Sequence, residues 1–172
     1  MPSKVYNNVE DHRLLDGKTV VEDVTKVSLP EIKNSTTSIK SVAGMIADID
    51  MPELTHFDAM KYSIAHNNGA NSKVLAVPGK HSHEFRTVRQ RYNVKSGNIE
   101  HEAVKYRLIG VHASTNKGDI ETGNPYGSTD EYSLLRYEEL VNGKQTILID
   151  LMNGIIRVNG KNYTDAVQNM LK

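Results

Sequence analysis

Cysteine is absent from the 172 residues, which excludes a disulfide framework, a cysteine-ligated zinc and a thiol nucleophile. The fold therefore rests on packing and hydrogen bonds. Tryptophan is also missing and phenylalanine occurs only twice, so contacts between copies of the chain would draw on backbone pairing and aliphatic burial. Neither charge is in excess: 21 Lys plus Arg balance 21 Asp plus Glu, leaving no global positive field to draw the chain onto nucleic acid or an anionic membrane. Long apolar runs are lacking too. Purely aliphatic stretches such as Ile147-Leu148-Ile149 and Ile155-Ile156 are short, far below a roughly 20-residue span. Met1-Pro2-Ser3-Lys4 opens no apolar leader, so a soluble, unprocessed protein without a membrane anchor is expected. At 19.2 kDa the chain is about one domain enclosing a single core.

What the chain has is turns. Asn-Gly occurs at Asn68-Gly69, Asn142-Gly143, Asn153-Gly154 and Asn159-Gly160, a pair suited to tight hairpins whose central residues need positive φ. Between the turns the apolar period is two, the period of strands. Met60, Tyr62 and Ile64 alternate with Lys61, Ser63 and Ala65, while Val104, Tyr106, Leu108 and Gly110 alternate with Lys105, Arg107, Ile109 and Val111. Around Gln90, Val88, Tyr92 and Val94 share one parity against Arg89, Arg91 and Asn93. The last third reads as an antiparallel meander over 132–141, 145–152 and 155–158, and earlier strands are expected at 19–29, 35–42 and 47–51. Two short helices are expected: one from Asn71 or Ser72 to Val77, stopped by Pro78-Gly79, and one over 165–171 capped by Thr164, with Ala166, Val167 and Met170 on one side. Residues 114–131, with Gly118, Gly123, Pro125 and Gly127, read as a long exposed loop. The fold class is mainly β, an antiparallel barrel or sandwich with a short flanking helix and a short C-terminal helix.

Several residue groups offer chemistry. In His81-x-His83-Glu84 both imidazoles would leave a strand on one face, within reach of one ion, and His101 with Glu102 could complete the site. Glu84 would point to the opposite face, however, and seven histidines make chance pairs common. The plainer reading is exposed or hydrogen-bonded histidines at a strand start. Arg86, Arg89 and Arg91 beside Tyr92 could serve single-stranded nucleic acid, but Glu84, Glu100 and Glu102 lie close by, and a cross-strand-paired face is simpler. Asp48, Asp50, Glu53 and Asp58 lack the spacing of a calcium loop. Gly17-Lys18-Thr19 lacks the glycine-rich cradle of a phosphate loop and reads as a turn into the first strand. Tyr62, Tyr92 and Tyr106 are expected in or beside the core. No catalytic, cofactor or metal residue is assigned. A metal-dependent enzyme using His81 and His83, with His101, remains the alternative from another class.

Val27-Ser28-Leu29-Pro30, Val42-Ala43-Gly44-Met45 leading to Asp48-Ile49-Asp50, and a C-terminal run carry a likeness in their order and spacing. That run comprises Tyr137, Leu140, Asn142-Gly143-Lys144, Ile149-Asp150, Asn153, Ile156 and Val158-Asn159-Gly160. The chain resembles the major tail tube protein family of contractile phage tails and R-type bacteriocins. The resemblance implies one non-enzymatic tube domain whose hexameric rings stack into a hollow tube, driven through a target envelope when a sheath contracts. Implied partners are further copies of the chain, the sheath, tape-measure, baseplate and tail terminator proteins, with DNA only as transient lumen cargo. It also implies a place in a virion tail or bacteriocin particle, assembled in the bacterial cytoplasm and released on lysis. Residues 41–53 sit where the family has an extended axial hairpin, which nominates Val42, Gly44, Met45, Ile46, Asp48 and Met51 for ring-to-ring contact. Residues 1–16 are expected to be an N-terminal arm with little pattern of its own. The inner face is expected to be polar and acidic, with no lumen residue singled out. A type VI secretion tube protein is the alternative of the same fold.

Overall fold

A computed structural model describes residues 4–41, 46–67, 72–124 and 126–170. Twelve strands and two short helices succeed one another along them. β1 (Lys4–Asp16) turns at Gly17-Lys18 into β2 (Thr19–Val21), and β3 (Val24–Ser28) comes next. β4 (Asn34–Ile39) and β5 (Ile49–Phe57) pair with each other as a separate two-stranded hairpin. After β6 (Lys61–His66) and α1 (Ser72–Leu75) come the three longest strands, β7 (Lys80–Asn93), β8 (Asn98–Asn116) and β9 (Ser128–Val141). β10 (Lys144–Asp150), β11 (Ile155–Val158) and β12 (Lys161–Asn162) complete the meander, and α2 (Asp165–Met170) ends it.

Ten strands form one antiparallel sheet in the order β12-β11-β10-β9-β8-β7-β1-β2, with β3 and β6 attached as a branch through β9. β2 and β12 end the path, so among the described residues the sheet does not close into a barrel. It is mainly β and sandwich-like, because β9 changes partner along one edge. Its first half, 128–133, pairs with β6, and its second half, 136–141, pairs with β10. The opposite edge pairs with β8 throughout. At the switch an extra residue, Leu135, enters β9 opposite the step from Ile109 to Gly110. Such a bulge re-aims the side chains beyond it: Tyr132 and Leu134 are buried before it and Tyr137 after it. Leu134 N–H donates to the Met60 carbonyl at 2.9 Å and Leu151 N–H to the Leu135 carbonyl at 3.0 Å, so the backbone stays paired across the break.

The core gathers Leu14 and Val21, Tyr62 and Ile64, Phe85, Leu108, Tyr132, Leu134, Tyr137 and Ile149 around Leu75 of α1. Tyr62 and Tyr132 stack at 5.0 Å between ring centroids, and the Tyr132 hydroxyl donates to the Leu75 carbonyl at 2.6 Å, which holds the short helix down. The alternations of 60–65 and 104–111 hold: Tyr62, Ile64, Val104 and Leu108 are buried. The Asn142-Gly143 and Asn159-Gly160 hairpins have positive φ at both residues, 48° and 80° in the first, 49° and 81° in the second. Asn68-Gly69 and Asn71 lie outside the described residues. Among those described, no helix is long and apolar enough to cross a membrane.

Four expectations need correction. Residues 4–16 are no free arm but strand β1, paired with β7 from Lys4 opposite Asn93 to Asp16 opposite His83. Two register shifts between Tyr6 and Asp11 break its period of two, which hides the strand in sequence. The expected strand 19–29 is two strands, separated at Glu22-Asp23, where Asp23 takes φ 56°. The loop expected over 114–131 is confined to 117–127, because β8 runs to Asn116 and β9 starts at Ser128. In β7 the inner parity is His81, His83, Phe85 and Thr87, so Val88 and Tyr92 are exposed.

Gly110 lies where β8 passes over Tyr62. A Cβ there would stand 2.7 Å from Tyr62 Cε1 and 2.8 Å from the Ser133 carbonyl oxygen. Gly110→Ala is therefore expected to cost about 1–3 kcal/mol by overpacking. Gly143→Ala, whose added Cβ meets open space at φ 80°, should cost about 1 kcal/mol from backbone strain alone. Urea unfolding midpoints of the two variants against the parent check the order.

Candidate functional site

The chain offers three places where chemistry or binding could occur. The first is the β4–β5 hairpin, which among the described residues pairs only with itself. Ile39 stands opposite Ile49 and Thr37 opposite Met51. Side chains two apart on a strand share a face, so Ile39, Ile49 and Met51 form one apolar row, each about half exposed. Ile46 and Leu54 are exposed further still. Lys40 donates to Asp48 at 3.0 Å and the Ser41 amide donates to it at 2.7 Å. The amide first and Lys40 second hold the Asp48 carboxyl below the usual range. Three of the four acids read against calcium binding, Asp48, Glu53 and Asp58, have separate partners. Glu53 accepts from Thr37 at 2.6 Å, and Asp58 pairs with Lys33 at 2.8 Å. Of the nominated contact residues, Ile46, Asp48 and Met51 lie on this exposed hairpin. Val42, Gly44 and Met45 lie outside the described residues.

The second place is a set of charged pairs on the two faces of β7, β8 and β9. Register sets Glu84 against Arg107, Arg89 against Glu102, and Arg91 against Glu100. Arg89 reaches Glu102 at 2.7 Å, while Arg91 bonds Glu100 at 2.9 Å and Glu102 at 2.7 Å. Arg86 pairs with Glu84, which also takes Arg107 at 3.1 Å, and Lys105 lies 3.6 Å away. Arg107 continues to Glu138 at 3.3 Å. The three arginines considered for nucleic acid are thus all engaged by carboxylates, Arg89 and Arg91 across the strands as the simpler reading expected and Arg86 along its own strand. Burial pushes the Glu84 carboxyl up, but hydrogen bonds from Arg86 and Arg107 outweigh it and hold it below the ordinary range.

Beyond this ladder, Val5, Tyr92 and Ile99 stand side by side across β1, β7 and β8, each 44–60% exposed. Tyr92, expected near the core, is part of this solvent-facing row.

The third place is a buried polar cluster under Tyr62 and Tyr132. His81 and His83 leave β7 on its inner face, rings stacked at 5.3 Å. Neither is solvent-exposed: their side chains are 7% and 0% accessible. Asp16, brought opposite His83 by β1, lies 2.9 Å from His81 Nδ1 and 3.8 Å from His83 Nε2. His81 Nε2 sits 2.7 Å from the Val77 carbonyl, and His83 Nδ1 sits 2.8 Å from the Tyr62 hydroxyl. Burial, partly opposed by the Asp16 charge, pulls His83 down to about 4, so its ring is neutral at neutral pH. Beside it, fully buried Asp130 lies 3.0 Å from His66 Nε2 and accepts from Thr115, whose hydroxyl meets His112 Nε2 at 2.9 Å. His101 and Glu102 do not join the cluster. His101 pairs with Glu10 at 3.1 Å, and Glu102 belongs to the arginines. Sequence reasoning found His81 and His83 from their spacing but missed Asp16, Tyr62 and Asp130, which only strand pairing brings near.

Comparisons with known proteins add to this geometry. The model of a family described as phage tail tube protein FII matches residues 12–171. A comparison with curated protein sequences finds no match. A chain of the cryo-EM structure of an extracellular contractile injection system, the PVC sheath-tube complex in the extended state, is similar in fold. It has a TM-score of 0.50 at 11% identity, over 75% of this chain and 87% of that one. A chain of the PVC sheath/tube terminator in the extended state gives 0.52 at 11% identity, over 78% and 96%. At such identity the likeness is one of fold.

The Glu84 hub sets an expectation for pH. A carboxyl lower in the folded than in the unfolded state contributes stability above its unfolded value, near pH 4.5, and that contribution is lost as the pH falls through the folded value. Glu84→Gln should therefore lower the thermal midpoint at pH 7, with the difference from the parent shrinking towards pH 3. Scanning calorimetry of both proteins from pH 7 to pH 3 checks this.

Proposed function

The chain belongs to the phage tail tube protein FII family, a family of structural tube subunits, and from that premise we propose that it forms hexameric rings stacked into a hollow tube. The observation that carries the reading is the family match over 160 of the 172 residues, 12–171. The fold likeness to chains of a sheath-tube complex and a sheath/tube terminator supports it. In this proposal the tube lies inside a contractile sheath, ends at a baseplate and a terminator, and takes its length from a tape-measure protein. It is assembled in the bacterial cytoplasm, released on lysis in a virion or bacteriocin particle, and driven through a target envelope. DNA passes its lumen only if the particle is a phage. The role is structural and non-enzymatic.

Physical features support assembly. Among the described residues β2 and β12 are free sheet edges within the subunit, and unpaired edge donors and acceptors are templates for a neighbour's strand. A head-to-tail contact closes into a ring when its rotation closes, and a second, axial contact makes an open stack. For that axial contact we assign residues 41–53, naming Val42, Gly44, Met45, Ile46, Asp48 and Met51. The exposure of Ile39, Ile49 and Met51 on one face supports the assignment, since an apolar row left uncovered in the subunit gains from burial against a second copy.

Negative-stain electron microscopy of the purified protein across a concentration series is expected to reveal six-fold rings or hollow filaments. Dispersed monomers at every concentration, together with the chain's absence from the tubes of its parent particle by mass spectrometry, would overturn the proposal. The double variant Ile49→Asp/Met51→Asp should abolish filaments and leave rings. Its thermal midpoint should stay near the parent's, because exposed substitutions usually change stability by within about 0.5 kcal/mol.

A further inference from the structure

We propose that Asp16, His81 and His83 form a binding site for one divalent transition-metal ion, of the class of zinc or cobalt, that clasps the end of β1 to β7. Four observations carry this. One ligand atom from each of the three residues lies within 4.8 Å of the other two. His83 Nε2 is buried with no hydrogen-bond partner, and a buried polar atom without one is costly. It is turned towards Asp16, yet at 3.8 Å the gap is too long for a hydrogen bond and suited to an ion between them. The other side of the gap, His81 Nδ1 to Asp16, is 2.9 Å. Ligand atoms about 2.0–2.1 Å from a tetrahedral ion stand about 3.3 Å apart, and the two Asp16 contacts, one from each carboxylate oxygen, bracket that separation.

The remote ring nitrogens carry the fourth observation. His81 Nε2 lies 2.7 Å from the Val77 carbonyl and His83 Nδ1 lies 2.8 Å from the Tyr62 hydroxyl. Metal-bound imidazoles are oriented by outer partners of this kind. Two imidazoles and one carboxylate favour zinc, cobalt, nickel or copper over the all-oxygen sites of calcium and magnesium. Asp16, 15% accessible, is the side open to solvent. The ion's role here is structural. Asp16 precedes the turn into β2, so ligation would fix the N-terminal strand and that hairpin onto the sheet, independently of whether the subunit forms tubes.

The test uses the full chain, stripped with chelator and dialysed, then titrated with cobalt(II) and separately with zinc(II). One equivalent of cobalt is expected to produce visible d–d bands of a tetrahedral nitrogen and oxygen site, and zinc to displace it and raise the thermal midpoint. Asp16→Asn and His83→Gln should weaken binding by about 100-fold or more, and Tyr62→Phe by roughly 10-fold to 100-fold through the outer shell. His101→Gln, in an exposed pair with Glu10, should leave it unchanged. Circular dichroism of each metal-free variant separates lost ligands from lost folding. The proposal is overturned if the folded parent takes up neither metal at micromolar concentration. It is equally overturned if the bands persist in His83→Gln, or if only His101→Gln removes them.

Discussion

Backbone pairing along β9 is the constraint on which the rest depends. A strand inside a sheet must satisfy donors and acceptors on both edges, and β9 does so with β8 on one side and β6 then β10 on the other. The change of partner needs the extra residue Leu135, and the bulge it makes turns the buried parity from Leu134 to Tyr137. From that point the structure divides. One branch carries β6 and β3 across the core, and the other carries the closing meander. Gly110 sits at the division because only a residue without Cβ lets Tyr62 and the Ser133 carbonyl come so close.

Along β7 and β8 the inner face changes character. Near β6 it packs Phe85 and Leu108 against tyrosines, and towards Asn93 it holds Arg89, Arg91, Glu100 and Glu102 in mutual ion pairs. Desolvating charges is costly unless each finds a partner, and here every carboxylate meets a guanidinium in register. Such a ladder needs no second layer of apolar residues, so the long strands can extend beyond the core. Their ends then offer uncovered apolar side chains, Val5, Tyr92 and Ile99, as does the separate hairpin with Ile39, Ile49 and Met51. A tube subunit needs surfaces of this kind, with charges paired within the subunit and apolar rows left for its neighbours.

Much of this was legible in the chain. The alternation of Met60, Tyr62 and Ile64 and of Val104, Tyr106 and Leu108, together with the Asn-Gly pairs at 142 and 159, are local patterns whose stereochemistry needs no distant partner. They sufficed for the fold class and the closing meander, while the family came from a resemblance carried by other segments, Val27 to Pro30, Val42 to Asp50 and the C-terminal run. β1 was not legible, since two bulges scramble its period and its pairing partner is β7, 67 to 89 residues away. In β7 the local pattern misled: Val88 and Tyr92 look like the core parity, yet His81, His83, Phe85 and Thr87 are inside. Buried histidines pass for surface residues in a sequence because burial depends on partners, Asp16 and Tyr62, that the sequence does not place nearby.

Short-range sterics and composition act within a few residues, and through them the sequence by itself determined most of the strands, the tight turns and a cysteine-free packed fold. Tertiary structure alone decided which parity of β7 is buried and where β9 changes partner. It also decided that Asp16 meets His81 and His83. Those outcomes depend on register, and register is set by the sum of many long-range backbone and side-chain pairings, in which a shift of one residue exchanges the two faces of a strand.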